Sequence, residues 1–247
     1  MKRSHNIVTL SDLNNQQAPP SKKTKVWKQD SLLSSIKTMP SQGRRLVDGA
    51  SVSCSSSTIT PLHASKFLIN DKNNGTQVTF VPDYVSKQDS KVLFDKLLTT
   101  CNWKTKDYHY AGKTVTSPRM FASISSSSYW VPELLELKKR VEEYTGEVFN
   151  FAFINKYEGG KDSIMWHADL EKGLRLGVPI VSISLGQARD FQFRSSKNKN
   201  GDIITQNLTD GSMVIMNYET QFHYQHCLPK RKGITGTRIN ITFRNYK

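Results

Sequence analysis

Of the six histidines in the chain, one stands where it could ligate a metal: His167, in Ile164-Met165-Trp166-His167-Ala168-Asp169. In an extended segment side chains two apart share a face, so His167 and Asp169 can approach one ion from neighbouring vertices. A third ligand must come from elsewhere. His226, in His223-Tyr224-Gln225-His226-Cys227-Leu228-Pro229, follows Asp169 by 57 residues on a late run that could pair beside the first, with His223 as its rival. Two imidazoles and a carboxylate on one face form the facial triad that holds non-haem Fe(II) and leaves coordination positions open. The His-x-Asp motif alone decides nothing. With 13 aspartates and six histidines in 247 residues, it is expected by chance about 0.3 times, and a hydrogen-bonded surface pair explains it as well.

The C-terminal run Arg238-Ile239-Asn240-Ile241-Thr242-Phe243-Arg244 alternates completely. Arg238, Asn240, Thr242 and Arg244 share one face, and Ile239, Ile241 and Phe243 the other. Pattern alone reads as a half-buried antiparallel strand with its polar face in water. The other reading turns that face into a barrel, where a guanidinium held in a pocket is built to recognise a carboxylate through paired hydrogen bonds. A facial-triad iron needs a co-substrate that carries carboxylates, so the two motifs are chemically compatible.

The elements that must position these residues follow from the spacing of apolar side chains. Val78, Phe80 and Val81 form a short strand pattern. Residues 86–101 place Val92, Leu93, Leu97 and Leu98 at helical spacing. A second helix is predicted over 131–145, with Leu134, Leu135, Leu137, Val141 and Tyr144 in its stripe, Pro132 in the first turn and Gly146 as its stop. Beyond Gly146 the helical period disappears. Short apolar or alternating runs occupy 148–157, 163–167, 178–185, 189–194, 203–208, 212–217, 222–227 and 237–244, separated by Gly, Asn, Asp, Lys or Pro clusters. These eight runs predict a mainly β domain with flanking helices, closed as a barrel or jelly roll, and the lack of an internal repeat argues against propellers and solenoids.

Composition sets the remaining bounds. The chain carries 35 Lys+Arg against 21 Asp+Glu, a net charge of +14, with 36% apolar and 10% aromatic residues. That is the make-up of a globular protein with an anionic partner, not of a fibre or a wholly disordered chain. No run approaches the length of a membrane span and the first residues lack the apolar core of a signal peptide, which predicts a soluble intracellular protein with no membrane partner. Cys54, Cys101 and Cys227 are odd in number and far apart, as expected in a reducing compartment.

Residues 1–70 hold ten Lys+Arg and three Asp+Glu, which is +7, half of the total charge. With Ala18-Pro19-Pro20-Ser21, a Ser/Thr-rich run from Ser51 to Thr60 and few aromatics, residues 1–65 are predicted to be a disordered basic tail and 66–247 the folded domain. Within the tail, Pro20-Ser21-Lys22-Lys23-Thr24-Lys25-Val26 resembles a one-part nuclear import signal, which predicts a location in the nucleus. Gln29-Asp30-Ser31-Leu32-Leu33-Ser34-Ser35-Ile36 loosely resembles a sliding-clamp peptide but lacks the paired aromatics that would fill the partner's pocket, so clamp binding is not expected.

Together, His167-x-Asp169, His226 and Arg238-x-Asn240-x-Thr242-x-Arg244 resemble the signature of the AlkB family, Fe(II)- and 2-oxoglutarate-dependent dioxygenases that remove alkyl groups from nucleic-acid bases. Arg238 follows His226 by twelve positions, as in that family. The resemblance covers about residues 77–247 and is nearest to the branch of the second and third animal AlkB homologues. Ser117-Pro118-Arg119, Trp130-Val131-Pro132-Glu133-Leu134, Arg189-Asp190-Phe191 and Leu228-Pro229-Lys230-Arg231-Lys232 match as well. The resemblance implies a double-stranded β-helix, which is a jelly roll, with the metal at one mouth. By position it implies that His167, Asp169 and His226 hold Fe(II) as the catalytic centre and that Arg238 pairs with the distal carboxylate of 2-oxoglutarate. Asn155, Tyr157, Asn240, Thr242 and Arg244 would complete that pocket, with O2 as the other co-substrate.

The activity so implied is oxidative removal of methyl groups from 1-methyladenine and 3-methylcytosine, releasing formaldehyde and succinate. The setting would be DNA alkylation repair, by a monomer acting on single- or double-stranded alkylated DNA. Both lesions are cationic and unable to pair, and are therefore easier to flip out of a duplex. Glu171 matches an acidic position that meets the flipped base, and Arg119 a basic position near the nucleic-acid cleft. Lys230, Arg231 and Lys232 are placed to meet phosphates. Two departures concern the substrate. Tyr110-Ala111-Gly112-Lys113 takes the place of the family's apolar wedge but puts Ala at the wedge position, and the segment from Met120 through Phe121 to Ser128 lacks the Tyr-rich strands of the base lid. Leu170 also replaces an acidic residue beside Asp169. Single-stranded DNA, RNA or an unusual lesion therefore stay open as substrates. A dioxygenase acting on protein or a small molecule is the rival enzyme, whereas a non-catalytic nucleic-acid binder is disfavoured because all three ligand positions and both strand arginines are present. The candidate substrate contacts are Tyr110, Gly112, Lys113, Arg119, Phe121 and Glu171.

Overall fold

Asn, Asp and Gly clusters reverse the chain and let short alternating runs pair with their neighbours. The computed structural model describes residues 64–110 and 113–247, so the basic cluster at 20–26, the peptide at 29–36 and Cys54 lie outside the described residues. The first described hairpin joins β1 (Lys66–Asp71) to β2 (Thr76–Val81). Its turn is closed by side chains: Asn74 Nδ2 donates to Asp71 Oδ2 at 2.7 Å, and Asn74 Oδ1 accepts the Thr76 N–H at 3.0 Å. Next comes α1 (Lys87–Thr100), whose N-cap Ser86 accepts the Asp89 N–H. A hairpin of β3 (Asp107–Tyr110) and β4 (Lys113–Thr116) precedes β5 (Met120–Ser125). The second long helix, α2 (Pro132–Thr145), opens on proline and stops at Gly146, whose φ of 67° is left-handed.

All eight runs beyond Gly146 become strands: β6 (Phe151–Tyr157), β7 (Ile164–His167), β8 (Ile180–Gly186), β9 (Arg189–Ser195), β10 (Ile204–Leu208), β11 (Met213–Met216), β12 (Tyr224–Leu228) and β13 (Arg238–Arg244). One boundary moves for a local reason. The run expected to begin at 222 is preceded by a single helical turn, α3 (Thr220–His223), because Thr220 Oγ1 donates to Asn217 Oδ1 at 2.8 Å and closes the turn. β1, β3, β4 and β5 were absent from the expectation. β1 and β5 bury one residue each, Ile69 and Ala122, which is too little apolar alternation to read.

The strands assemble into two main antiparallel sheets, ordered β1-β2-β11-β8-β13-β6-β5 and β10-β9-β12-β7. Their facing sides share a core in which Val78, Phe80, Ile180, Val214 and Met216 of the larger sheet meet Phe191, Phe193, Leu208 and Leu228 of the smaller. The other side of the larger sheet is covered by the two helices, where Leu93, Leu97, Leu134, Leu137 and Val141 pack on Ile154, Ile183, Ile239, Ile241 and Phe243. This is the double-stranded β-helix expected. It also chooses between the two readings of the last strand: every residue of β13 is buried, its apolar face under the helices and its polar face between the sheets. Among the described residues no helix is long and apolar enough to cross a membrane.

Candidate metal and co-substrate site

β7 and β12 are antiparallel neighbours in a register that sets His226 directly opposite His167, with ring centroids 4.3 Å apart. Asp169, two residues on, turns its carboxylate between them. Oδ1 lies 3.7 Å from His167 Nε2 and Oδ2 lies 3.9 Å from His226 Nε2. One ligand atom from each residue falls within 4.8 Å of the others, a spacing that one divalent ion can bridge. His223 is on α3 and outside this cluster. His167 Nδ1 lies 2.8 Å from the Met165 carbonyl. As a hydrogen bond this contact requires the proton on Nδ1, which leaves the Nε2 lone pair facing the triad.

Electrostatics suit a cation here. Burial would raise the Asp169 carboxyl, but Arg244 Nη2 at 3.1 Å and the two imidazoles together hold it below the ordinary value. Burial, aided by His167 and opposed by Asp169, pushes the His226 imidazole down to about 3, so it is neutral and free to ligate.

Beside the triad a cavity of about 280 Å³ is lined by both sheets, with Asn155, Tyr157, Ser182, Asn240, Thr242 and Arg244 along its polar side and Phe153, Phe191 and Met216 on its apolar side. Arg238 is 1% exposed, opposite Tyr157 in the β13–β6 register and 5.5 Å from its ring. Only Nη2 has a partner, Ser184 Oγ at 2.9 Å; Nε and Nη1 are buried with none. A buried cation with two unsatisfied donors is costly unless an anion completes it. The distal carboxylate of 2-oxoglutarate would fit that requirement, and the donor set of the triad would fit Fe(II).

The other residues of the predicted pocket differ in how free they are. Asn240 Nδ2 donates to Ser182 Oγ and to the Ile183 carbonyl, while its Oδ1 accepts from Thr242 Oγ1, so this amide shapes the wall with no donor left over. Arg244 is held by two carboxylates, Asp169 and Glu171, the latter at 2.6 Å. Glu171 also accepts from the Tyr246 hydroxyl, so it stands tethered at the cavity wall. Arg119 lines the cavity itself, donating from Nε to Asn155 Oδ1 at 2.9 Å, and Phe121 stacks on Phe153 with centroids 5.5 Å apart. Arg231 pairs with Asp190 at 2.7 Å. Tyr110 and Lys113 end β3 and begin β4, and Ala111 and Gly112 between them lie outside the described residues.

Gln221 went unread in the sequence, and Arg189 entered only within the matching segment Arg189-Asp190-Phe191, without a role. Gln221 accepts the backbone N–H of Asp169 at 2.8 Å. Arg189, 1% exposed, donates to the carbonyls of Gly159, Asp162 and Pro229, each at 2.8 Å, and so ties the β6–β7 turn to the end of β12. Both act on backbone groups far away in sequence, and no local pattern announces that.

Comparison with known proteins agrees with this geometry. The profile of the 2OG-Fe(II) oxygenase superfamily matches residues 122–244. The DNA oxidative demethylase ALKBH2 of Bos taurus is 42% identical over 121 residues, 47% of this chain and 44% of that protein. The ALKBH2 of Arabidopsis thaliana is 30% identical over 212 residues, covering 70% of this chain and 68% of the relative. The chain belongs to the AlkB family. An AlkB-family fold is seen also in the solved structure of OsALKBH1, which superposes with a TM-score of 0.54 at 15% identity, over 68% of this chain and 96% of the other. The chain spans about half the length of the mammalian ALKBH2 proteins it matches.

Proposed function

We propose that this AlkB-family protein is an Fe(II)- and 2-oxoglutarate-dependent dioxygenase that demethylates DNA bases oxidatively, with 1-methyladenine and 3-methylcytosine as substrates in alkylation repair in the nucleus. The observation that carries the reading is the His167–Asp169–His226 cluster, taken together with a buried Arg238 that has two unsatisfied donors. The names of the ALKBH2 relatives supply the substrate class.

When bound, the metal and co-substrate supply the oxidation: O2 delivers one oxygen atom to the N-methyl carbon and the other to 2-oxoglutarate, which leaves as succinate and CO2, and the N-hydroxymethyl base then releases formaldehyde. The chain's own groups bind and orient. His167, Asp169 and His226 would hold the metal, with the His167 ring oriented by the Met165 carbonyl. Arg238, with Nε and Nη1 unpaired, would anchor the distal carboxylate, and Tyr157 packs against that guanidinium. Asn155 and Thr242 face the same cavity, while Phe153, Phe191 and Met216 keep water from it. Glu171, held by Arg244 and Tyr246, presents a carboxylate suited to a cationic base. Arg119 and Phe121 flank the entering nucleotide, with the β3–β4 hairpin carrying Tyr110, Gly112 and Lys113. Lys230, Arg231 and Lys232 meet backbone phosphates.

The test is turnover on matched single- and double-stranded oligonucleotides carrying either lesion, with Fe(II), 2-oxoglutarate and O2, read by mass spectrometry, and with Asp169→Ala as control. Methyl loss coupled to succinate, absent in the control, is the expected result. Succinate without methyl loss would keep the dioxygenase and reject the substrate. No succinate at all would reject both.

A further inference from the structure

Asp169 stands beyond the β7–β12 ladder, whose last pair is His226 opposite His167, yet it is only 6% exposed. A buried backbone N–H that has left its ladder must find another acceptor. It finds Oε1 of Gln221 at 2.8 Å. Gln221 is 1% exposed and sits on α3, between β11 and β12. The orientation of its amide follows from the contact, since only oxygen can face an N–H donor. Its Nε2 turns to Met216 Sδ at 3.9 Å, on the cavity wall. α3 is itself anchored. Asn217 Oδ1 accepts from Thr220 Oγ1 at 2.8 Å and from the Gln77 N–H at 3.0 Å, and Asn217 Nδ2 donates to the Gly75 carbonyl at 2.7 Å. A continuous chain of hydrogen bonds and covalent links thus runs from the β1–β2 turn through Asn217 and Thr220 to Gln221. It ends on the backbone of a triad member.

We propose that Gln221 is a positioning residue for the metal centre, which sets the direction of the Asp169 carboxylate by holding its amide. The proposal rests on the metal reading above. A side chain's direction follows from its backbone, and metal-ligand distances tolerate about 0.2 Å of error. Arg244 grips one carboxylate oxygen at 3.1 Å, which attracts the group but leaves its backbone free. With the amide released, the same attraction would draw the carboxylate away from the two imidazoles. Residues 217–226 therefore place two of the three ligands, His226 directly and Asp169 through Gln221.

Mn(II) binding to the full chain, followed by electron paramagnetic resonance, tests this together with thermal melting of the metal-free protein. Gln221→Met keeps length and volume but removes the acceptor; Gln221→Glu keeps an oxygen in place; Gln221→Asn keeps the amide but falls one methylene short. The Met and Asn variants are expected to bind Mn(II) about ten- to hundredfold more weakly, the usual effect of losing an outer-shell partner, with an altered line shape, and the Glu variant to stay near the parent. Should Gln221→Met not fold, Gln221→Asn decides in its place. Parent-like affinity and line shape without the acceptor would overturn the proposal. So would equal weakening in all three variants that tracks a common fall in melting temperature, because that is a packing effect. A parent protein that binds no Mn(II) would overturn the metal reading itself, and the proposal with it.

Discussion

Arg238 and Arg244 close the same alternating strand but live under opposite conditions. Arg244 answers two carboxylates of its own chain, whereas Arg238 has a serine hydroxyl and two bare donors. Burial pulls the Arg238 guanidinium down to about 10, so it remains charged at neutral pH, without a protein anion beside it. On the function proposed above, such a group is there for an anionic ligand. Arg238→Met is accordingly expected to raise the KM for 2-oxoglutarate roughly ten- to hundredfold, the worth of about 1.5–3 kcal/mol for a charge-assisted hydrogen bond. Its melting temperature should be equal to the parent's or higher, because apolar replacement of an incompletely paired buried charge is often stabilising. A parent-like KM would dismiss the anchor. The pH behaviour of the metal-free protein should report His226. Its folded value lies near 3, below the ordinary one of about 6.5, so the unfolded chain binds the extra proton first. The stability tied to this group is therefore whole above about pH 6.5 and drains as pH falls toward 3, at a slope of about 1.4 kcal/mol per pH unit. Denaturant titrations should show that slope in the parent and its reduction in His226→Gln.

At the scale of elements, register does most of the work. The pairing of His226 with His167 across β12 and β7, and of Arg238 with Tyr157 across β13 and β6, sets four residues scattered over the chain into two cross-strand pairs, one in each main sheet. A slip of one residue would put each on the opposite face. Arg189 is the brace behind that register, joining the turn before β7 to the end of β12. Arg189→Met is expected to cost about 1–3 kcal/mol through three part-buried carbonyls that lose their donor, and to weaken Mn(II) binding because both histidine strands loosen. Chemical denaturation and metal titration of this variant check the two parts; lower stability with unchanged metal affinity would confine Arg189 to the fold. The same turn explains a glycine. A Cβ on Gly160 would stand 1.7 Å from the Arg231 carbonyl oxygen, so the two loops meet backbone to backbone. Much of this level was legible beforehand: both helices, with the proline and glycine that bound α2, and all eight strands beyond Gly146. The short β3 and β4 were not, nor were β1 and β5, because strands that bury one residue each, as β1 and β5 do, carry little of the alternation on which such reading depends.

For the whole molecule, charge is uneven along the chain. Residues 1–65 carry nine Lys+Arg and three Asp+Glu, a net +6. Deleting them is expected to leave Mn(II) binding and demethylation near the parent's, to flatten the salt dependence of oligonucleotide binding, and to reduce nuclear accumulation. The first is checked by titration and turnover, the second by binding at several salt concentrations, the third by imaging of a tagged chain. Loss of folding on this truncation would move the domain boundary. The order of residues was enough, by itself, to determine what depends on neighbours in the chain: where helices start and stop, which residues alternate along β13, that His167 and Asp169 share a side, and, through resemblance, which family the motifs belong to. Tertiary structure alone decided what depends on groups far apart. It turned the polar face of β13 inward instead of toward water, set His226 directly opposite His167, bound Arg244 to Asp169 and Glu171, and left two donors of Arg238 without a partner. It also brought Gln221 to the Asp169 amide across 52 positions. Local pattern records the preferences of a segment, whereas the partner of a buried polar group is settled only when sheets close and water leaves.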